Sequence, residues 1–420
     1  MPLGAYSLLY TFNREIRHLK KSPSSGYYYN NHIKTNDKKR MDYIDCIAST
    51  NRALSCRNGI DELFKSLRNK HPFLSRLCVS VTSHDHLENF HVIDHQDTSD
   101  YFDVISIHAE HCQPLTKIID NQEIRVVADL NELSPNTRNE RLRKLGHRSS
   151  FTMGLKIDER HGAVLFFNAT KADYFSDGEL HADLLFVKEV ITSLLCHDRY
   201  KHQMFLQALQ LALRISHKRD PETADHLQRM SLYSKLLAEL LAVKLPVDHR
   251  FIQWIELYSP FHDIGKYRIP DHILFSPLRY TPEEKAIMDK HVDYGVDIID
   301  EVLNNIDVMT ASSAEVAFLK NIIYCHHERF DGNGYPCKIM GNDIPLEARI
   351  ITIADVFDAL LSKRSYKHAW TMDDTQNYIR QEAGSLFDPI IVQMLMDNID
   401  KFRAIYERFP PEPLTSGQVA

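Results

Sequence analysis

Phe261-His262-Asp263-Ile264-Gly265-Lys266 sets an imidazole beside a carboxylate, with a lysine one helical turn beyond the histidine. The chain around it, from Arg214 to about Arg408, carries helix-like spacing of apolar residues, broken by Pro246, Pro260, Pro270, Pro277, Pro336, Pro345 and Pro389. No strand-like alternation of useful length interrupts it. An all-α domain over residues 214-408, of seven or so helices, is therefore expected. Within it stand Glu222 and His226, His262 and Asp263, His291, the adjacent pair His326-His327, and Asp355. Glu222 and His226 are four apart, which on a helix places both on one face. Imidazoles and carboxylates without a thiolate suit iron, manganese or zinc better than calcium or a structural zinc finger.

A chain with 23 histidines brings some of them together by chance. His84, His86, His91, His95 and His181 are read as surface or satisfied core residues on that ground. The helical set stands apart because one domain repeats the pattern: a His-Asp pair, a His-His pair and a Glu/His pair at helical spacing.

Upstream, Met41 to Leu77 holds Ile44, Ile47, Leu54, Ile60, Leu63, Phe64 and Leu67 at helical spacing. Strand-like runs follow at Cys78 to Thr82, Glu123 to Ala128, Ser150 to Ile157 and Ala163 to Asn168, the last two joined by a loop ending in Gly162. Helix, antiparallel strands and a closing helix make an α+β domain over residues 46-178. Ser176 with Glu179 forms a capping-box pattern that predicts a helix start. Leu180, Leu184, Val187, Ile191 and Leu194 then run as a short heptad-like seam, continued by Met204, Phe205, Leu209 and Leu213. The seam either packs on its own domain or pairs two copies in parallel. Residues 179-213 are expected to be a connecting helix and the protein a homodimer.

Residues 1-45 form a basic, tyrosine-rich arm with Lys20, Lys21, Lys38, Lys39 and Arg40, read as a solvated tail, and residues 409-420 a flexible one. The net charge of -7 argues against a general DNA binder but permits an anionic substrate held by local cations. Seven scattered cysteines without a C-x-x-C pair fit reduced thiols and a cytoplasmic location. No apolar run approaches the ~18 residues of a transmembrane segment.

Two resemblances follow. Gly162-Ala163-Val164-Leu165-Phe166-Phe167-Asn168, leading to Phe175-Ser176-Asp177-Gly178-Glu179, resembles a GAF domain, over about residues 45-195. This implies a sensor that takes an unknown small ligand. His262-Asp263-Ile264-Gly265-Lys266 and His326-His327-Glu328-Arg329-Phe330-Asp331-Gly332-Asn333-Gly334-Tyr335-Pro336 resemble the signatures of the HD-GYP family of metal-dependent phosphohydrolases. The match continues through Ala354-Asp355-Val356-Phe357-Asp358, Arg364-Ser365-Tyr366-Lys367 and Phe387-Asp388-Pro389.

The second resemblance implies hydrolysis of cyclic di-GMP to pGpG and then GMP, on two or three divalent metals, iron or manganese. His226, His262, Asp263, His291, His326, His327 and Asp355 match the family's ligands, with Asp263 bridging. Glu222 stands where many members have a non-ligating residue; members with an acid there resemble the trinuclear type, so three metals are expected. Lys266 is expected to meet a phosphate oxygen in the transition state, with Asp263 and Lys266 as the catalytic pair. Arg364 and Lys367 match residues that hold the substrate's other phosphate, and Tyr335 is a candidate to stack on a guanine. The Gly-Tyr-Pro loop is a candidate contact for a cyclase-domain (GGDEF) partner. Hydrolysis of 3′,3′-cyclic GMP-AMP and non-catalytic binding of a cyclic dinucleotide are the alternatives.

Overall fold

The computed structural model describes residues 56-83, 86-95, 106-108, 113-133, 137-219, 223-245, 247-305, 313-362 and 369-410. The basic arm and most of the expected tail lie outside these residues. The first part of the chain builds α1 (Cys56–Lys70), β1 (Leu74–Ser83), β2 (His86–Asp94), β3 (Ser106–His108), α2 (Gln113–Asp120), β4 (Ile124–Val127), α3 (Thr137–Lys144), β5 (Ser149–Lys156) and β6 (Gly162–Ala169). The strands make one six-stranded sheet in the order β3-β2-β1-β6-β5-β4, with every pairing antiparallel.

Strand alternation gives the sheet two unlike faces. Leu77, Phe167 and Phe151 are in register across β1, β6 and β5, as are Val79, Leu165 and Met153, and all six are fully buried. The opposite parity brings Arg76, Asn168 and Ser150 into register, a buried polar row. α2 packs on β5 and β6 so closely that a Cβ on Gly154 would sit 2.0 Å from the Ile118 carbonyl oxygen. The four strand-like runs of the sequence are β1, β4, β5 and β6. β2 escapes a reading by pattern because nearly all its residues are half-exposed, so its sequence, HLENFHVID, lacks the apolar alternation that marks a strand with one face buried.

A 40-residue helix, α4 (Gly178–His217), leaves the sheet. Its N-cap is Asp177, whose side chain accepts from the Glu179 amide; the Ser176 hydroxyl donates instead to the Asp173 carbonyl, 2.8 Å away. The expected Ser176/Glu179 capping box therefore does not form, and the cap stands one residue later, at Asp177. Leu180, Leu184, Val187 and Ile191 are at most 1% exposed within the single chain. The first part of the expected seam thus packs within the chain, whereas Met204 further along it is 40% exposed. Further on, Phe205 and Leu209 of α4 enter the helical core.

The chain continues as α5 (Ala224–Leu241), α6 (His249–Tyr258), α7 (Asp271–Leu274), α8 (Pro282–Met288), α9 (His291–Asn305), α10 (Ser313–Cys325), α11 (Leu346–Leu361), α12 (Met372–Gln381), α13 (Pro389–Asp397) and α14 (Ile399–Arg408). Of these, α7 and α8 form a smaller cluster around Ile273 and Leu274, and all the others build that core. Tyr233, Leu237, Ile255, Ile322, Ile353, Phe357, Leu395 and Phe402 are fully or almost fully buried in it. Each such side chain contributes about 1.5 to 3 kcal/mol by leaving water. Among the described residues the helical part contains no strand beyond an isolated bridge, Ala383 with Phe387. No helix among them is long and apolar enough to cross a membrane.

Candidate metal centre

Separate segments of the helical core bring the histidines together. His226 lies in the first turn of α5, where the Thr223 side chain accepts from its amide. His262 and Asp263 fall between two 3-10 turns, Ser259–Phe261 and Ile264–Arg268, that follow α6. His291 opens α9, His326 and His327 follow the last turn of α10, and Asp355 projects from the middle of α11. The second 3-10 turn meets α9 through two glycines. A Cβ on Gly265 would lie 1.8 Å from the His291 carbonyl oxygen and 2.4 Å from the Gly295 amide nitrogen. Only a residue without a side chain lets Asp263 come this close to His291.

One ring nitrogen of each of four histidines is committed to a fixed acceptor. Nδ1 of His262 lies 2.9 Å from the Ser259 carbonyl, Nδ1 of His291 lies 2.8 Å from that of Met288, and Nδ1 of His326 lies 3.0 Å from that of Ile323. Nδ1 of His226 lies 2.7 Å from the Asp358 carboxylate. A carbonyl can only accept, so these Nδ1 atoms carry the proton and the Nε2 lone pairs point inward. Nε2 of His291 and His326, Oδ1 of Asp263 and Oδ1 of Asp355 are buried and make no hydrogen bond. Buried polar atoms without partners are costly, and their convergence fits the donor set of a cation site.

The donors form two groups, Asp263 with His291, His326 and His327, and His226 with His262 and Asp355; within each, the ligand atoms lie within 4.8 Å of one another. Asp263 touches both. Its Oδ1 lies 3.2 Å from His291 Nε2, and its Oδ2 lies 3.1 Å from His262 Nε2. One carboxylate thus turns an oxygen to each group, the arrangement of a bridging ligand.

Burial alone would raise the Asp263 carboxyl, but the Lys266 ammonium and the His262 imidazole override it and hold the group well below the usual carboxylate range. Burial pushes His291 down to about 4 against the pull of Asp263, and pushes His327 well below its ordinary value, with His326 and His291 adding to the effect. Around Asp263 an ionised carboxylate therefore stands with neutral imidazoles at His291 and His327, protonation states that bind a metal.

Several expectations need correction here. Lys266 stands on a 3-10 turn, in which residues i and i+3 eclipse, so it lies over Asp263 and not over His262. Its Nζ is 2.6 Å from Asp263 Oδ2. The helix carrying His226 begins at Ala224 with Thr223 as N-cap, so the helical spacing argument for Glu222 does not hold. Glu222 itself, and Arg364 and Lys367, lie outside the described residues. Tyr335 sits beside the centre with its ring stacked on His327, centroids 4.8 Å apart and planes 22° apart.

Asp358 is the residue that sequence reasoning passed over. Besides accepting from His226, it takes the Arg229 guanidinium, whose Nη2 is 2.8 Å from Oδ2, and both residues are 1% exposed. Arg229 in turn donates to the Phe409 carbonyl at 2.8 Å. Burial would raise the Asp358 carboxyl, but Arg229 and His226 hold it below its usual range. Its position three residues after Asp355, on one face of α11, is the signal that would have found it.

Residues 215–391 match the HD domain family model. The chain is 41% identical over 192 residues to the 3'3'-cGAMP-specific phosphodiesterase 2 of Vibrio cholerae, covering 46% of this chain and 34% of that protein. It is 40% identical over 190 residues to the cyclic di-GMP phosphodiesterase response regulator RpfG of Xanthomonas campestris, covering 45% and 47%. A cyclic di-GMP phosphodiesterase of Thermotoga maritima is 33% identical over 202 residues, covering 48% and 51%. The chain thus spans between a third and about half the length of these relatives. Among solved structures, the phycoerythrobilin-bound GAF domain of a cyanobacterial phytochrome aligns at 10% identity and a TM-score of 0.32, over 39% of this chain and 97% of that one.

Proposed function

We propose that the chain is a metal-dependent phosphodiesterase that hydrolyses cyclic di-GMP to pGpG and then GMP. The observation that carries the reading is the convergence of inward-facing imidazole nitrogens on an ionised, shared carboxylate, Asp263. His226, His262, Asp263, His291, His326, His327 and Asp355 would hold two divalent ions, iron or manganese, and Glu222 would supply a third site. Such ions, when bound, offset the charge of a phosphodiester and lower the pKa of a water between them. The chain's own part is to orient and to neutralise. Asp358 fixes the tautomer of His226, and Lys266, anchored on Asp263, presents an ammonium to an anionic phosphoryl oxygen. Arg364 and Lys367 would grip the second phosphate.

In this reading residues 46-178 are a GAF-like sensor, 179-213 the connecting helix and 214-408 the catalytic domain, and the protein works in the cytoplasm, where the five described cysteines stay free thiols. A second reading, 3′,3′-cyclic GMP-AMP as substrate, is favoured by the relative at 41% identity. The two substrates share their phosphates and differ in one base, which a centre that grips phosphates does not read.

The test is incubation of manganese- or iron-loaded protein with each dinucleotide, with products separated by chromatography. Appearance of pGpG supports the proposal, and a clear preference for the mixed dinucleotide transfers it to the second reading. No turnover with either metal leaves a cyclic-dinucleotide receptor. Glu222→Ala is expected to lower the metal content from three towards two by elemental analysis; an unchanged content removes Glu222 from the ligands.

A further inference from the structure

His327 differs from the other histidines of the centre in how it is held. His226, His262, His291 and His326 each have Nδ1 bound to a fixed acceptor. Among the described residues neither ring nitrogen of His327 makes a hydrogen bond. Its ring is instead packed against aromatic neighbours, nearly parallel to Tyr335 at 4.8 Å. A ligand imidazole without an orienting hydrogen bond needs another source of order, because rotation about its χ angles would carry its ligand nitrogen away from the centre.

Tyr335 is itself held by its ring and by its backbone. Burial, with the charge of the Asp289 carboxylate next, raises its phenol above the ordinary range. Asp289 is the C-cap of α8, two residues before His291, and the Lys285 ammonium reaches both its oxygens at 2.8 and 2.9 Å. The same ammonium lies 5.0 Å from the centroid of the Tyr335 ring. The Tyr335 amide donates to the His327 carbonyl at 3.2 Å, so ring and backbone address the same residue.

The loop could not approach so closely with another residue at 334. A Cβ on Gly334 would sit 2.3 Å from the Arg329 amide nitrogen and 2.5 Å from Cα of Glu328. Beyond Tyr335, the Cys337 amide donates to the buried Glu328 carboxylate at 2.6 Å, closing the loop on the segment that carries His327.

We propose that Tyr335 is a positioning residue for His327: a stacked ring, tied through Lys285 and Asp289 to the segment of His291, takes the place of the orienting hydrogen bond that His327 lacks. This rests on reading the centre as a metal site. It assigns Gly334-Tyr335-Pro336 to the scaffold of the Asp263, His291, His326 and His327 group, and not to base recognition. A guanine stacking on Tyr335 would compete with the contacts the ring already makes to His327 and Lys285.

The test uses the full chain loaded with Mn²⁺, dialysed against graded chelator, with manganese read by elemental analysis, alongside melting curves and kcat and KM for cyclic di-GMP. Tyr335→Leu, which removes the ring, is expected to release manganese about 10- to 100-fold more readily, the range for loss of a group that orients a metal-bound histidine. Tyr335→Phe keeps the ring and is expected to restore most of that retention. Asp289→Ala, a partly exposed site whose change leaves the core intact, is expected to fall between the two. KM is expected to stay near wild type in all three.

Leucine and phenylalanine variants that release manganese alike would overturn the proposal. So would a Tyr335→Leu variant with wild-type manganese and a tenfold higher KM, which would make Tyr335 a base platform. If Tyr335→Leu does not fold, Asp289→Ala decides, and wild-type manganese retention there overturns the proposal. Wild-type protein that holds manganese but cuts neither dinucleotide sinks the proposed activity and leaves the leucine against phenylalanine contrast readable. Wild-type protein that holds none sinks this inference along with the metal site.

Discussion

The sheet and the helical core each bury histidine among carboxylates, and they do so to opposite ends. On the polar face of the sheet His147 is fully buried, with Nδ1 2.8 Å from the Ser75 hydroxyl and Nε2 3.1 Å from Asp94 Oδ2. Arg76 lies 3.3 Å from the same Asp94 oxygen and donates to Asn168 Oδ1 at 3.2 Å. Both ring nitrogens of His147 end on protein partners. In the helical core the Nδ1 atoms of His291 and His326 are bound in the same way, but their Nε2 atoms are buried and make no hydrogen bond. Burial and residue type are alike in the two places. What separates a closed structural network from a candidate metal site is where the second nitrogen goes.

Substitution in the two clusters gives the largest expected contrast. His262→Ala with Asp263→Ala removes a terminal ligand and the shared one, so turnover of cyclic di-GMP is expected to fall below detection and bound metal to be lost. His147→Ala is expected to leave metal content and turnover per folded molecule unchanged. It lowers the unfolding free energy by the loss of two buried hydrogen bonds, about 0.5 to 1.5 kcal/mol each, since Ser75 keeps the Asn168 carbonyl and Asp94 keeps Arg76. Retained turnover in the double variant would break the contrast from one side. A folded His147→Ala protein stripped of metal would break it from the other.

A smaller effect is expected one layer out, at Asp358. Asp358→Ala frees the His226 ring and strands the buried Arg229. Metal affinity is expected to drop about 10- to 100-fold, as for loss of other groups that orient ligand histidines. Stability is expected to fall by about 3 to 5 kcal/mol through the unpaired guanidinium. Adding Arg229→Met should recover part of the stability and none of the metal affinity. Recovery of both in elemental analysis and melting experiments would show that Asp358 acts on the fold alone.

How far these places can be read from the sequence follows the same physics. The all-helical half is legible because apolar residues recur at helical spacing and prolines mark helix starts, as Pro282 and Pro389 do in α8 and α13. The ligand candidates are legible as residue types, and His226, His262, Asp263, His291, His326, His327 and Asp355 do converge. The helix assumed under Glu222 and Lys266 is not legible, since one cap at Thr223 and a change from α to 3-10 after Asp263 decide it, and both are local backbone choices. The closed network around His147 stays hidden for a different reason. Its partners are far apart in sequence, 92 residues for Arg76 with Asn168 and 53 for His147 with Asp94, and only the fold of the sheet brings them together.

The smallest effect is expected where α4, which starts at the sheet, touches the segment of the centre. The Ser216 hydroxyl donates to the Ile264 carbonyl at 3.0 Å in a fully buried contact, one residue after Asp263. Arg219 continues the tie with donations to the Tyr267 carbonyl, to that of Ile269 at 3.0 Å and to the Asp271 carboxylate. Ser216→Ala removes one neutral hydrogen bond, worth about 0.5 to 1.5 kcal/mol. The orienting bonds of His262 and His291 do not pass through it, so metal content is expected to stay at the wild-type value. The 3-10 turn bearing Lys266 loses its tie nearest Asp263 while those of Arg219 remain, and kcat is expected to fall a few-fold with KM unchanged, since the lysine acts on charge that grows in the transition state. Ser75→Ala in the sheet removes a comparable buried hydroxyl and serves as the control, with a similar change in melting temperature and none in kcat. A drop in kcat for both serines would mean that turnover follows overall stability, whereas a drop for Ser216 alone would make the end of α4 the route by which the sheet reaches the centre.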